Sequence, residues 1–355
     1  MKVLIGTNHL ADIAGSEMVA FEFTRHFRRS GADVTVFANH ADDPMAGLFR
    51  AQLGLAIETR PERTDPLAFD LVYFQHQVAG LFDYRIGSET TARTAILFGR
   101  LSRHSFMESG GWAFDAALGD LSLANSDLTA ERLRETGVRH PIAVFYNAAP
   151  AAFAAPPRPR PDRPRRILCV SNHRDPDLLA MLARLGRVSD LTHLGRFGDM
   201  VRMVEPADIH GADLVVSIGK TIPYGLIAHT PVYVYDHFGG PGYLTPENRD
   251  RAARYNFSGR CTERRLTPDA VVEEIMSRYA DGVRFAATTD EDFLDRYRLE
   301  PHLDRWMQLA GTSNADRVAR LAADHGRLEI ERQLAAHVRK SYRQLKRAEA
   351  SAKTR

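Results

Sequence analysis

Cysteine is nearly absent: the 355-residue chain holds two, Cys169 and Cys261. Two cysteines cannot build a disulfide framework, and Cys169 falls inside an apolar strand pattern, which sets a thiolate zinc site aside as well. No run of roughly 18 apolar residues occurs, so no transmembrane helix is expected. The opening MKVLIGTNHL reads as a buried strand rather than a signal-peptide core, and a reducing cytoplasm is the expected location. An excess of charge of one sign is also missing. Against 47 Lys and Arg stand 45 Asp and Glu, a net +2, which argues against a dedicated nucleic-acid binder. The GxGxxG dinucleotide fingerprint is absent, and no Asp-x-Asp metal motif stands in the expected place.

What is present is a core-forming composition, 44% hydrophobic and 26% charged, at a length that suggests two domains. Lys2 to Gly6 reads as a strand, TNHLADIAG as a loop, and Met18, Val19, Phe21, Phe23 and Phe27 as the apolar face of a helix ending near Gly31. A strand over residues 33–37 completes a βαβ unit, which implies a parallel, doubly wound sheet. Further strands are expected near residues 71–75, 94–98, 121–124 and 142–146. The stretch PAAFAAPPRPRPDRPRR then interrupts the alternation, because proline at this density fixes φ and removes amide donors. Beyond it, strands are expected over residues 167–171, 191–194, 214–218 and 232–235, with a helix over 176–185. Thr267-Pro268-Asp269 opens another helix. The expected division is a Rossmann-like domain over residues 1–150, a linker over 151–166, a second Rossmann-like domain over 167–282, and C-terminal helices with a basic tail over 283–355.

Residues 212–242 carry the most chemistry. Ligands in open α/β sheets sit outside the carboxyl ends of the strands. There the sequence places Lys220 and Thr221 after one strand, and Asp236, His237, Gly239 and Gly240 after the next. Lys220 is the expected phosphate cation, and Gly239-Gly240 would let backbone amides approach a ligand. Asp236 and His237, as neighbours in extended backbone, are expected on opposite faces. Asn172 and Arg174 follow the first strand of the second domain, and Gly15-Ser16-Glu17 opens the first helix, whose free amides suit an anion. Tyr255-Asn256-Phe257-Ser258-Gly259-Arg260 could stack a base or simply turn the chain. Each has a plainer reading: a solvent lysine, an ordinary turn, a helix-start acid.

The opening strand, the loop ending in Gly15-Ser16-Glu17 and GADVTVFA resemble the first βαβ unit of family 4-like glycosyltransferases. LANSDLTAERLRETGV, VFYNAAP and the Thr230-Pro231-Val232…Gly239-Gly240 stretch match later motifs of that family over roughly residues 1–282. The resemblance implies an α/β GT-B architecture: two doubly wound Rossmann-like domains facing a cleft, with a helical C-terminus. It implies transfer of a sugar from a nucleotide-diphosphate-sugar donor to a glycan or other hydroxyl acceptor, retaining and metal-independent, in cell-surface polysaccharide or glycoconjugate assembly. By the same resemblance His76 or His104 would contact the transferred sugar, with Glu108 as a partner for His104. The family's two glutamates are missing, since Val216 and Tyr224 occupy their places. No cofactor is expected, because the nucleotide-sugar is a substrate.

Two other readings stay open: a non-catalytic relative that binds a nucleotide or glycan, and a UDP-sugar epimerase or hydrolase. The arginines at 158–166 and the basic tail from Arg339 to Arg355 could touch an anionic membrane surface, so peripheral attachment at its inner face is a secondary expectation.

Overall fold

The computed structural model describes residues 1–102, 108 and 110–353. The first half of the alternation builds β1 (Lys2–Leu10), β2 (Asp33–Ala41), β3 (Leu71–Gln75), β4 (Arg93–Arg100), β5 (Leu121–Ala124) and β6 (Ile142–Val144), ordered β2-β1-β3-β4-β5-β6 and parallel throughout. The second half builds β7 (Arg166–Val170), β8 (Asp190–Leu194), β9 (Leu214–Ser217), β10 (Val232–Asp236) and β11 (Gly239–Tyr243), ordered β11-β10-β9-β7-β8. Helices cover both faces, so the strands read as apolar runs rather than as alternations. Strand order reverses between β1 and β3 in one sheet and between β7 and β9 in the other. Those switch points are where crevices open.

The first two strands, at the first sheet's edge, and the one after β10 depart most from the sequence reading. β1 does not stop at Gly6 but runs through Thr7-Asn8-His9-Leu10, because an equally long β2 pairs with it out to His9↔His40 and Leu10↔Ala41. β11 is the larger surprise, since Gly-Gly-Pro-Gly has little strand preference. The glycines are there for close packing. A Cβ on Gly239 would lie 2.1 Å from the Arg264 carbonyl oxygen, and one on Gly240 would lie 2.0 Å from that of Val234. β11 runs antiparallel to β10, so this segment is a hairpin and not a ligand loop.

The linker is an ordered strap. Phe153 is buried and stacks on Tyr224 with ring centroids 4.0 Å apart. Arg160 donates to the carbonyls of Ala212 and His229, and Arg158 to those of His210 and Ala212. Those two arginines hold carbonyls rather than face an anionic surface.

The C-terminal segment returns to the first domain instead of standing apart. Leu299, Leu303 and Trp306 of the Leu299–Met307 helix join the core that holds Phe23 and Phe145. The two-residue β12 (Thr312–Ser313) then pairs antiparallel with β4. The His325–Lys353 helix lays Leu328 and Ala335 against the first domain, and Arg339 donates to Asn39 Oδ1 and the Thr59 carbonyl. Among the described residues, no helix is long and apolar enough to cross a membrane.

Candidate functional site: a cavity between two switch points

A cavity of about 310 Å³ opens at the β7/β9 switch point, within the size range of small-molecule sites. Its floor is the carboxyl ends of β7 and β9 (Val170, Ser171, Ser217, Ile218), and its roof is Ile13, Ala14, Gly15 and Met18 of the first domain. The roof begins the Gly15–Arg29 helix, whose first-turn amides have no intrahelical acceptor. A Cβ on Gly15 would meet nothing nearer than Lys220 Cβ at 4.0 Å, so protein packing does not demand this glycine. Gly195 is the opposite case: a Cβ there would lie 1.9 Å from the Ser171 carbonyl oxygen. Of the residues expected from sequence, Gly15, Asn172, Lys220, Thr221 and Tyr224 line this cavity. Asn172 also ties the domains together, donating to the Ile13 carbonyl at 3.0 Å.

Lys220 is not a free phosphate cation. Its ammonium lies 2.6 Å from Glu22 Oε2 and donates to the carbonyls of Asn147 (3.1 Å) and Ala148 (2.6 Å). An ammonium has three hydrogens, and all three are used. The Tyr224 hydroxyl donates to the other oxygen of Glu22. Burial pushes the Lys220 ammonium down from its ordinary value, while Glu22 supports it, and burial followed by Glu22 raises the Tyr224 hydroxyl well above its usual range. Tyr224 thus stands where the family resemblance led to a glutamate, and it meets an acid supplied by the first domain. Val216, at the other glutamate position, is fully buried in the β9 core.

At the cavity mouth the structure gathers His173, Asp236 and His237. His173 Nδ1 lies 3.0 Å and His237 Nδ1 2.9 Å from the same Asp236 oxygen, and the His237 amide donates to it at 2.6 Å. The expected opposition of Asp236 and His237 does not occur, because β10 ends at Asp236 and the chain turns. Burial pushes the Asp236 carboxyl up, but its hydrogen bonds from His173 and the His237 amide outweigh this and hold it below the usual range. The same bond raises His173. Cations crowd the rim: Arg260 lies 3.9 Å over the Phe238 ring, and Arg174 lies 5.9 Å over the ring of Phe197. Arg174 therefore lies beside the cavity rather than in its wall. A polar strand end at a switch point, Ser-Asn-His-Arg after β7, was the signal that could have found His173.

The Tyr255–Arg260 block turns the chain, as one of its two expected readings has it. Asn256 and Phe257 turn the chain at φ 54° and 50°, and Phe257 packs in the core. Tyr255, Asn256, Ser258 and Arg260 also line a second, smaller cavity with Asn125, Ser126 and Thr129 of the first domain.

The first sheet's switch point is sealed. His76 is 2% exposed, and its Nδ1 accepts the Asn8 amide at 3.4 Å, leaving Nε2 toward Glu108 at 3.8 Å. Burial, with His9 and Arg100 adding to it, lowers His76 to about 3, so the ring is neutral and shut away from any sugar. Burial likewise raises Glu108 to about 7 against the pull of Arg100. Glu108 belongs to His76; His104 lies outside the described residues. Ser16 and Glu17 turn inward, Glu17 accepting from Ser16 at 2.6 Å and pairing with His9 Nε2 at 2.8 Å. His9 was hidden from the sequence reading by its place in a presumed loop. Its ring lies parallel to that of His76 at 5.8 Å, and Tyr342 of the C-terminal helix covers it at the same distance.

The sequence matches no family model and no curated protein. Among solved structures, the chain is similar to a lipopolysaccharide outer core galactosyltransferase in its apo form (14% identity over 81% of this chain and 99% of that one, TM-score 0.43). It is similar as well to a spinosyn rhamnosyltransferase (14%, 87% and 99%, TM-score 0.46) and to a putative UDP-N-acetylglucosamine 2-epimerase from Listeria monocytogenes (10%, 85% and 94%, TM-score 0.47). This chain's own strand order and layers, two doubly wound Rossmann-like domains facing a cleft with a helical C-terminus, are the GT-B layout. The chemistry must be read from this chain's own residues, because a layout of this kind hosts more than one reaction.

Proposed function

We propose that the protein is a glycosyltransferase that moves a sugar from a nucleoside-diphosphate-sugar to a hydroxyl acceptor in glycoconjugate or polysaccharide assembly. The observation that carries this is the cavity at the β7/β9 switch point roofed by the amino end of the Gly15–Arg29 helix. A diphosphate leaving group gains negative charge as the sugar departs, and preorganised dipoles aimed at it lower the barrier. The roof supplies helix amides, and Arg174 and Arg260 stand near the cavity mouth, so Lys220 is not required for that task. The smaller cavity between the domains would take part of the acceptor. Contact of the basic tail with an anionic membrane fits this reading as a secondary feature.

The family resemblance implies retention at the sugar carbon. The His9–Glu17 pair favours a second reading, inversion, in which His9 oriented by Glu17 takes the acceptor hydroxyl proton. Proton NMR of the anomeric centre of the first product separates the two.

The primary test is thermal unfolding with UDP, GDP and dTDP. One of them should raise the melting temperature, and Gly15→Val, which fills the cavity, should remove the rise while leaving the free protein folded. Absence of any shift with all three nucleotides would sink the transferase reading and leave a binding protein for some other ligand.

A further inference from the structure

The sequence led to an expectation of transfer without a metal, yet the cavity wall contains a buried carboxylate. Asp236 is 2% exposed and lines the space where, on the reading above, a diphosphate sits. A carboxylate facing a diphosphate is repulsive unless a cation lies between them, and the Lys220 ammonium is committed to Glu22 and two carbonyls.

We propose that His173 Nδ1, the Asp236 carboxylate and His237 Nδ1 form a binding site for one divalent first-row transition ion whose remaining positions face the cavity. The three ligand atoms lie within 4.8 Å of one another, and both imidazoles turn Nδ1 toward Asp236. Ligands bound about 2.0–2.2 Å from one ion stand roughly 3–3.5 Å apart. The two Nδ1–Asp236 separations of 3.0 and 2.9 Å are already near that spacing, while the two rings, with centroids 3.7 Å apart, swing apart to aim both nitrogens at one ion. The hydrogen bonding without an ion is lopsided. One Asp236 oxygen faces three donors (His173 Nδ1, His237 Nδ1 and the His237 amide), while the other, Oδ2, has no partner. Replacing two imidazole protons by one ion relieves the crowding and gives Oδ2 a role.

Two imidazoles and one carboxylate suit zinc, manganese or cobalt better than magnesium or calcium, which prefer all-oxygen sets. His173 and Asp236 line the cavity, so the open positions would take oxygens of the donor diphosphate. That role rests on the nucleotide-sugar reading; the ion site itself does not.

The experiment is calorimetric titration of untagged protein with Mn²⁺ and with Zn²⁺ in the absence of nucleotide. One ion per chain is expected, with affinity falling about tenfold or more in His173→Ala, His237→Ala and Asp236→Asn. His237 lies partly at the surface, so His237→Ala keeps the test meaningful if Asp236→Asn fails to fold. UDP or the nucleotide found above is then titrated with EDTA and with Mn²⁺; a gain of about fivefold or more with the ion, absent in His237→Ala, supports the diphosphate role. No stoichiometric binding of either ion, or binding unchanged in all three variants, overturns the site. Nucleotide bound equally well in EDTA and Mn²⁺ overturns the diphosphate role and leaves the transferase reading intact. Ion bound but no nucleotide bound removes the transferase reading and leaves the site.

Discussion

The two sheets share a strand-order reversal and present opposite chemistry at their switch points. Where β1 and β3 end, Glu17, His76 and Glu108 are buried and paired, Glu17 with His9 and His76 with Glu108, and His9 alone keeps 13% of its side chain exposed beside Tyr342. Where β7 and β9 end, the backbone is small and close-packed, the side chains stand back, and a cavity remains. The contrast shows that a histidine or acid at a strand end is no guide by itself to a binding site. What distinguishes the ends is whether its polar groups already satisfy each other. Lys220 makes the same point inside the second domain: it lies in the cavity wall and yet belongs to the interface between the domains.

The largest expected effect breaks that interface. Glu22→Ala leaves the buried Lys220 ammonium without its counter-charge and the Tyr224 hydroxyl without its acceptor, and removing one member of a buried pair typically costs about 3–5 kcal/mol. Urea unfolding of the variant should show a loss of that order. Because desolvation offsets most of what the pair contributes, Glu22→Leu combined with Lys220→Met should recover much of it. Recovery no better than the single variant would mean that the pair itself, and not the isolated charge, governs stability.

Next comes the cavity floor. Gly195 crosses so close to Ser171 that Gly195→Ala forces the backbone apart, and its φ of 140° is hard for any L side chain. A loss of about 3 kcal/mol is expected, within the range for strain at a special conformation. Unfolding midpoints close to wild type would show that the floor is pliable rather than fixed.

The sealed end should reveal itself through pH. His76 is lowered to about 3, so as pH falls from 6.5 the unfolded chain binds a proton that the fold refuses, and stability is lost. Glu108 is raised to about 7, so it contributes stability that is lost as pH rises through that value and regained as pH falls. Between pH 6.5 and 4.5 the two offset each other. Glu108→Gln should expose the histidine and lose ~2 kcal/mol over that window, while His76→Gln should make the protein gain stability on acidification. Parallel profiles for the two variants would show that the cluster is open to water.

Much of this fold was legible because its strands are buried on both faces and its βαβ rhythm is regular: residues 71–75 and 121–124 were located to the residue as β3 and β5, and 176–185 as the Pro176–Leu185 helix. The failures have physical causes. Thr7-Asn8-His9 looked like a loop because polar residues in a strand are invisible until the partner strand that satisfies them is known. Gly239-Gly240 looked like a ligand loop because a glycine that admits a ligand and one that admits a neighbouring strand have the same letter. Asp236 and His237 looked opposed because strand geometry was extended one residue too far. Lys220 looked free because its partner, Glu22, lies 198 positions earlier.

Gly15 gives the smallest effect on stability and the sharpest division between the two ends. It starts a helix, and a Cβ there would make only an ordinary contact with Lys220 Cβ at 4.0 Å, so Gly15→Ala should leave stability within about 0.5 kcal/mol of wild type or slightly above it, since alanine restricts the unfolded chain. The added methyl nevertheless stands between the first-turn amides and whatever they hold. Nucleotide affinity measured by calorimetry should fall several-fold, with the unfolding midpoint unmoved. At Gly195 the order of effects is reversed, with stability lost first and binding following it. If Gly15→Ala bound nucleotide as well as wild type, the roof would be only a lid over the cavity, and the amides of the Gly15–Arg29 helix would have no part in holding the diphosphate.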